Sequence, residues 1–304
     1  MLWAVALGLW KEGHAMLKYF VKRVLQGLVT LLVLSFVIYF AARLIAGSQS
    51  IRMRGYGQTT QGYFSFLANA LRGDLGMSAT FPRPVMSEIQ GRYGYTMILA
   101  VGGTTVSVVL GVLLGIVAAV RRDSRLDKVI MVMSLTTVSI PLFFSALILM
   151  LVFCLYLGWL PSLGLESWQG FILPIVTLGL PAIGFFTRTA RSAMLDALGE
   201  DYIRTSRARG LPEKLIIYSH AFRNTLVPVL TAVGVRFGEL LAGTVLVENA
   251  FSIPGLGRLI VSAVVQRDYN LLQGAVLVLA GTFLVINIVI DLLYALVDPK
   301  MRLS

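Results

Sequence analysis

The chain consists largely of long apolar runs that alternate with short polar segments. A helix that crosses a bilayer needs about 20 consecutive, mostly apolar residues. Six runs have this length, at residues 22–45, 95–120, 129–158, 170–188, 225–249 and 271–297. The second and third runs carry no charge from Met97 to Val120 and from Val129 to Leu157, so neither has the polar face of a soluble helix. The pattern predicts an all-α membrane protein with six transmembrane helices.

Glycine and proline inside the runs indicate how the helices pack and bend. Gly111 and Gly115 lie one helical turn apart, as do Gly234 and Gly238. In lipid this spacing lets two helix backbones approach closely, because packing drives helix association there. Prolines inside spans remove backbone hydrogen bonds, which predicts either bent helices or local packing irregularity. These prolines are Pro141, Pro174 and Pro181.

The charge distribution supports this class and predicts the orientation. Only 13% of the 304 residues are charged and 57% are apolar, whereas soluble domains are about 25% charged. The net charge is +11, but the basic residues lie between the apolar runs, which favours a membrane surface over nucleic acid as the partner. Cytoplasmic segments of membrane proteins carry an excess of Lys and Arg. If the N-terminus is cytoplasmic, most of the 26 Lys and Arg residues lie in cytoplasmic segments, so we expect both termini in the cytoplasm.

The sequence lacks the motifs of nucleotide binding and of common hydrolytic chemistry. It contains no G-x-x-x-x-G-K-[ST], no G-x-S-x-G and no H-E-x-x-H. The two histidines, His14 and His220, and the single cysteine, Cys154, provide neither a metal-ligand cluster nor a disulfide. We therefore expect no catalytic residues, no metal site and no cofactor, and hence a protein that is not an enzyme.

The polar segment between the fourth and fifth runs carries several helix-boundary signals. Asp201 is a suitable N-cap, and Arg207 and Arg209 suit the negative end of the helix dipole. Gly210 fits the left-handed end of this helix, and Pro212 fits the first residue of the next one. These signals predict a short helix, a tight turn and a second helix that continues into the fifth span. Two interpretations stay open: a solvated loop with ordinary caps, or a helix whose small residues dock in a groove of another protein.

The same segment resembles a known family. The run from Glu200 to Pro228, EDYIRTSRARGLPEKLIIYSHAFRNTLVP, resembles the EAA-type coupling loop of permease subunits in ATP-binding-cassette (ABC) importers. More narrowly, it is similar to the B-type permeases of dipeptide, oligopeptide and nickel transporters. The stretch 72–85 and the run VENAFSIPGLGR at Val247–Arg258 resemble outer loops of the same family, in the same order. Apart from residues 1–15, the resemblance covers nearly the whole chain.

The resemblance implies an ABC type I importer permease fold over residues 16–304, with an outer loop at 46–94 and a cytoplasmic coupling loop at 189–224. It implies the bacterial inner membrane as location. The implied partners are membrane lipid, a second homologous permease in a heterodimer, two cytoplasmic ATPases and an extracytoplasmic substrate-binding protein. The residues that would couple to the ATPases are Asp201, Thr205, Ser206, Arg207, Ala208, Arg209 and Gly210. We expect residues 1–15 to be an N-terminal extension or a misassigned start.

Polar residues in the fifth span are candidates for the translocation pathway. Arg236 and Glu239 lie at positions i and i+3, so they either neutralise each other as a structural pair or line an aqueous path. Glu248 and Asn249 follow near the outer end of the span. Together with the resemblance, these residues suggest an importer for nickel, another metal chelate, or di- and oligopeptides. An ion-gradient-driven secondary transporter is the alternative, and a structural membrane scaffold is a third hypothesis.

Overall fold

The computed structural model describes residues 21–41, 44, 62–161 and 167–297. The expected extension at 1–15, the beginning of the outer loop and the last residues of the chain lie outside these ranges. Within them, the secondary structure is helical apart from turns and one isolated β-bridge between Met77 and Pro84. The α-helices are α1 (Val21–Ala41), α2 (Gly62–Leu71), α3 (Val85–Val120), α4 (Arg125–Ser139), α5 (Leu142–Leu149), α6 (Ile172–Gly199), α7 (Asp201–Ala208), α8 (Glu213–Leu215), α9 (Phe222–Ala250), α10 (Leu256–Val265) and α11 (Tyr269–Val297).

Five helical stretches are long and apolar enough to cross a membrane. They are Val21–Ala41, Val85–Val120, Trp168–Gly199, Glu213–Ala250 and Tyr269–Leu292. A sixth stretch is interrupted: α4 is followed by the segment Leu142–Tyr156, in which a π-helix continues α5. The two parts together are long and apolar enough to cross a membrane, and the number is six if they form one span. The predicted fold class, an all-α membrane protein, is confirmed for the residues that the structure describes.

The third predicted span, 129–158, is not one continuous helix. α4 ends at Ser139, and the next helix begins at Leu142 with its axis bent by 106°. Pro141 has no amide hydrogen to continue the helix, and Ile140 before it has the extended conformation (φ −83°, ψ 126°) that a following proline favours. The bend expected from Pro141 is therefore present, and it divides the predicted span into two helical segments.

The segments predicted as loops contain more helix than their polar composition indicated. The predicted outer loop, 46–94, includes α2 and the first turns of α3. Pro84 directly precedes α3, where its missing amide hydrogen breaks no helical hydrogen bond, and Glu88 lies in the first turn, where the helix dipole favours an acidic residue. Likewise, α6 extends to Gly199 and therefore occupies the first part of the predicted coupling loop, 189–224.

The first of two compact units comprises the described residues up to Thr96 and the segment Pro254–Ile288. The buried carboxylate of Asp268 accepts hydrogen bonds from Ser78 Oγ (2.5 Å) and from the Thr80 amide (2.9 Å), which ties the turn before α3 to the start of α11. The apolar core of this unit contains Leu75, Val85, Ile89, Leu256, Leu259, Ala263, Leu271 and Ala275.

The second compact unit comprises the described residues of Met97–Ile253 and those from Val289 onward. In this unit α6 packs against α4, α5 and α9. Gly115 of α3 lies so close to α6 that a Cβ atom built on it would be 2.6 Å from the Thr187 carbonyl oxygen. The predicted close approach at Gly111-x-x-x-Gly115 is therefore present. A Cβ atom on Gly234 would be 3.2 Å from Ile290 Cγ2, the end of a side chain, so the structure gives no backbone contact at that glycine.

Candidate functional site

The helix predicted to couple to an ATPase is α7, which follows α6 after a single residue. Glu200 occupies the N-cap position of α7 with an extended backbone (φ −68°, ψ 149°). Asp201, predicted as the N-cap, is instead the first helical residue, where its negative charge is favoured by the helix dipole. Glu200 is therefore the single residue between the end of α6 and the start of α7.

α7 ends in a Schellman turn at Gly210. This glycine has φ +76°, a left-handed conformation that residues with a Cβ atom adopt only with strain. Its amide donates to the Arg207 carbonyl (2.9 Å), and the Leu211 amide donates to the Ser206 carbonyl (3.3 Å). Pro212 is the N-cap of α8 rather than its first residue. The predicted order of helix, tight turn and second helix is present.

One side of α7 is anchored in an apolar cluster. Ile203 is fully buried and belongs to the same cluster as Met194 and Ala197 of α6. Ile216 and Ile217, in the π-helical segment between α8 and α9, belong to it as well. The buried side of α7 is thereby packed against α6 and against the π-helical segment that precedes α9.

Polar contacts tie α7 to the chain that leads into α9. Tyr202 Oη accepts a hydrogen bond from Asn224 Nδ2 (2.5 Å). The guanidinium group of Arg207 donates two hydrogen bonds to the Glu213 carboxylate, at 2.7 and 3.2 Å. This hydrogen-bonded carboxylate raises the pKa of Arg207, so the guanidinium group stays charged. α7 is therefore connected to α6 and α9 by apolar and polar contacts.

The opposite side of α7 is exposed. Thr205 and Ala208 lie there one turn apart, with Arg204 and Arg209 beside them. Thr205 Oγ1 donates to the carbonyl oxygen of Asp201 within its own helix (3.0 Å), which satisfies this donor. Ser206, also predicted to couple, is only partly exposed. We call the exposed residues Arg204, Thr205, Ala208 and Arg209 the α7 face. Since its central side chains are small, this face fits a narrow groove.

α9 exposes one continuous side along its length. The exposed positions recur every three or four residues and therefore lie on one side of the helix. We call them the α9 face: Asn224, Pro228, Thr231, Val235, Ala242, Leu246 and Asn249, with Glu239 at its edge. Polar and apolar residues are mixed on this face, whereas the exposed side of α4 carries large apolar residues such as Val129, Val132 and Met133. The mixture suits water or another polypeptide better than lipid.

Arg236 and Glu239, predicted to pair or to line a pathway, contact each other. Arg236 Nη1 donates a hydrogen bond to Glu239 Oε2. The Arg236 guanidinium group also lies over the ring of Phe185 on α6, 3.9 Å from its centroid, in a cation–π contact. The Glu239 side chain is 59% exposed and that of Arg236 is 28% exposed. Arg236 is thus held against α6, and Glu239 is the more accessible partner.

Glu248 and Asn249, the other predicted pathway residues, lie on different sides of α9. Glu248 is fully buried. Asn249 is exposed, and its Nδ2 donates to the Val245 carbonyl of its own helix (2.7 Å). Neighbouring helical residues point about 100° apart, so these two cannot share a face. The structure therefore brings Arg236 and Glu239 together and places Glu248 away from the α9 face.

Sequence reasoning missed a charged pair between α4 and α6. Asp127 accepts hydrogen bonds from Nε and Nη2 of Arg191, both at 2.7 Å, and its side chain is only 4% exposed. One signal was available in the sequence: the spacing Ser124-x-x-Asp127 is typical of a helix start, and Ser124 Oγ accepts from the Asp127 amide (3.2 Å). The partner lies 64 residues further along, beyond the reach of local patterns.

Comparison with known proteins identifies a family and several relatives. Residues 111–303 match the family described as binding-protein-dependent transport system inner membrane component. The chain is 38% identical over 304 residues to the glutathione transport system permease protein GsiC of Escherichia coli strain K12, covering 94% of this chain and 99% of the relative. The protein of that name from Salmonella choleraesuis strain SC-B67 is 39% identical with the same coverage. The matched region includes α7, the turn at Gly210 and α9.

Proposed function

Because the chain belongs to the family of inner membrane components of binding-protein-dependent transport systems, we propose that it forms one half of the translocation pathway of an ABC importer for short peptides. As a member of this family it is a permease, a transport subunit rather than an enzyme. The observation that carries the proposal is α7, a short helix that is anchored to α6 and α9 on one side and exposed on the other.

In this proposal the α7 face docks on a cytoplasmic ATPase. A permease without a nucleotide-binding motif receives mechanical work through a contact with its motor, and a rigid element transmits that work best. Thr205 and Ala208 enter the groove of the ATPase, and the buried Ile203 passes the displacement to α6 and α9. A homologous permease with a second ATPase forms the other half. The proposed coupling residues are Asp201, Thr205, Ser206, Arg207, Ala208, Arg209 and Gly210.

The α9 face is proposed to line the pathway. Its mixed composition supports this position, since a solute needs water or polar groups along its route. Glu239 is the accessible carboxylate at its edge, and Arg236 orients it through their hydrogen bond. Asn249 lies on the same face, nearer the end of α9 that we expect to be extracytoplasmic. Glu248, being buried, has a structural role in this scheme.

The relatives favour the peptide half of the substrate expectation. Proteins at 38% identity are named glutathione permeases, and glutathione is a tripeptide. We therefore propose a short peptide of this size, delivered from outside by a binding protein. Nickel or another metal chelate, the other expectation from the sequence, is the competing outcome of the same experiment.

The test is uptake by the complete transporter, reconstituted in liposomes with its second permease, ATPases and binding protein. We expect accumulation of radiolabelled glutathione or a dipeptide that requires ATP and continues in the presence of a protonophore. Uptake that a protonophore abolishes while ATP is intact supports the secondary-transporter alternative. Uptake of nickel but not of peptides leaves the importer in place and refutes the peptide proposal.

The role of α7 is tested with a matched pair of bulky substitutions. Ala208→Trp places an indole on the α7 face, and Ser192→Trp places one at an exposed position of α6. Because both positions are exposed, both variants are expected to fold and to enter the membrane. We expect Ala208→Trp to lose ATPase binding and uptake, and Ser192→Trp to keep both. Normal uptake by Ala208→Trp contradicts docking at this face.

The orientation is tested with a thiol on the same helix. Thr205→Cys, made together with Cys154→Ala, places the single thiol at an exposed position. With a cytoplasmic α7, we expect a membrane-impermeant maleimide to label this variant only after the cells are permeabilised. Labelling in intact cells puts α7 outside and refutes the coupling role.

A further inference from the structure

The charged pair Asp127–Arg191 connects α4 to the part of α6 that leads to α7. We propose that this pair is a positioning contact that makes α4 move together with α6 when α7 is displaced, and that efficient coupling of ATP hydrolysis to transport depends on it. This inference deepens the proposed function and rests on it.

The geometry of the pair fixes the orientation of both side chains. Both carboxylate oxygens of Asp127 are engaged by the planar guanidinium group of Arg191, at 2.7 Å each, which is the strong bidentate arrangement. The amide of Asp123 donates a third hydrogen bond to Asp127 Oδ2 (3.0 Å). Asp127 therefore joins the turn between α3 and α4 to α6 at one point.

Further contacts fix the register of α4 against α6. Arg188 Nη1 donates to the Ser134 carbonyl of α4 (3.0 Å). The same carbonyl oxygen lies against Gly184, where a Cβ atom would overlap with it. From Gly184 to Arg188 to Arg191, the contacts recur at each turn of α6. α6 cannot slide along α4 without breaking these contacts together.

The location of the pair links it to coupling rather than to stability alone. α6 continues as uninterrupted helix from Arg191 to Gly199, and only Glu200 separates it from α7. A force on α7 therefore reaches the pair through two turns of helix. The Asp127 side chain is shielded from water, so an opened pair leaves a poorly compensated charge and the closed pair is strongly preferred. At its other end α4 meets the bend at Pro141, where motion of α4 can be taken up.

The experiment compares Asp127→Asn with Asp123→Asn in the complete reconstituted transporter. Asp123 lies four residues earlier and its side chain is 83% exposed, so Asp123→Asn removes a charge from the same turn but keeps the backbone amide that donates to Asp127. The readout is the amount of substrate taken up per ATP hydrolysed. We expect this ratio to fall about fivefold or more in Asp127→Asn, with ATP hydrolysis continuing, and to stay unchanged in Asp123→Asn. If Asp127→Asn does not assemble, Arg191→Lys, which keeps the charge but loses the bidentate geometry, is measured in its place.

The outcomes separate the inference from the proposed function. A purely structural pair lowers the amount of folded transporter but leaves uptake per ATP unchanged, and that result overturns the inference. Recovery of the ratio in the exchanged variant Asp127→Arg with Arg191→Asp supports the pair itself as the cause. Absence of ATP-dependent uptake in the unmodified transporter refutes the proposed function instead.

Discussion

Replacing Gly115 with alanine tests the packing of α3 against α6 directly. A Cβ atom at this position would lie 2.6 Å from the Thr187 carbonyl oxygen, 2.7 Å from Ala190 Cβ and 2.9 Å from the Arg191 amide nitrogen. Backbone atoms and a Cβ atom cannot rotate away as the end of a long side chain can. The two helices must therefore move apart to accommodate the methyl group.

The magnitude follows from these distances. Ordinary contacts between nonbonded atoms are about 3.5–4.0 Å, so the helices must separate locally by roughly 1 Å. Overpacking of this kind costs about 1–3 kcal/mol. The gain in helix propensity from glycine to alanine, about 1 kcal/mol, offsets part of that cost. Gly94 lies in the same helix and is the matched control, because apart from its own turn of helix no atom of the described residues would lie within 4 Å of a Cβ atom there. Gly94→Ala should stabilise the protein by about 1 kcal/mol, because only the propensity gain applies.

The assay is thermal unfolding of each purified variant in the same detergent, followed by the monodisperse fraction after heating. We expect the midpoint of Gly115→Ala to fall below that of the unmodified protein and the midpoint of Gly94→Ala to equal or exceed it. Equal midpoints for the two variants would show that α3 and α6 are not packed as closely as their backbones indicate.

Three further predictions concern the turn after α7, the first compact unit and an exposed ion pair. Gly210→Ala gives a residue with a Cβ atom a left-handed backbone conformation, at a cost of about 1 kcal/mol, and we expect this variant to bind the ATPase more weakly. The control is Gly199→Ala, at a helix end without a positive φ, which we expect to bind the ATPase normally. Asp268→Ala removes the acceptor of the hydrogen bonds from Ser78 Oγ and from the Thr80 amide. We expect the free energy of unfolding to fall by about 3 kcal/mol and proteases to cleave faster within residues 72–84. Unchanged cleavage contradicts this role. Arg207→Ala breaks the ion pair with Glu213, in which both side chains are about half exposed. The free energy of unfolding should therefore fall by less than about 1 kcal/mol, and the difference from the unmodified protein should shrink in high salt. A large loss of stability that does not depend on salt refutes this reasoning.

The spans and the turn after α7 could be predicted from the sequence because their causes are local. An uncharged run such as Met97–Val120 excludes a soluble helix whatever surrounds it. Gly210 was assigned to the left-handed end of a helix from its neighbours alone, and it has φ +76°. Pro141 likewise indicated a bend, because the missing amide hydrogen is a property of the residue itself.

Helix boundaries were predicted less well, because hydropathy reports the environment and not the backbone. α3 starts at Val85, inside a polar stretch, since helical hydrogen bonds continue beyond the apolar run. The N-cap of α7 was predicted at Asp201, one residue late, because both Glu200 and Asp201 suit the start of a helix and only the extended backbone of Glu200 distinguishes them.

Only some contacts of the candidate pathway residues could be predicted from neighbouring positions in the sequence. Arg236 and Glu239 pair as their i, i+3 spacing allows, but the contact of Arg236 with Phe185 depends on α6 packing against α9. Glu248 and Asn249 look equivalent as polar neighbours in the chain. Only the packing of α9 decides that Glu248 is buried and Asn249 is exposed.

The sequence by itself determined the class of protein, the long apolar helices and the short helix that ends at Gly210, because these depend on transfer of side chains into lipid and on backbone rules that act over a few residues. The tertiary structure alone decided which charges on different helices meet. Asp127 and Arg191 are separated by 64 positions, and their contact exists because α4 and α6 pack in one register, set by backbone approach at Gly184. That register arises from the fit of two helix surfaces, which no short stretch of either helix encodes.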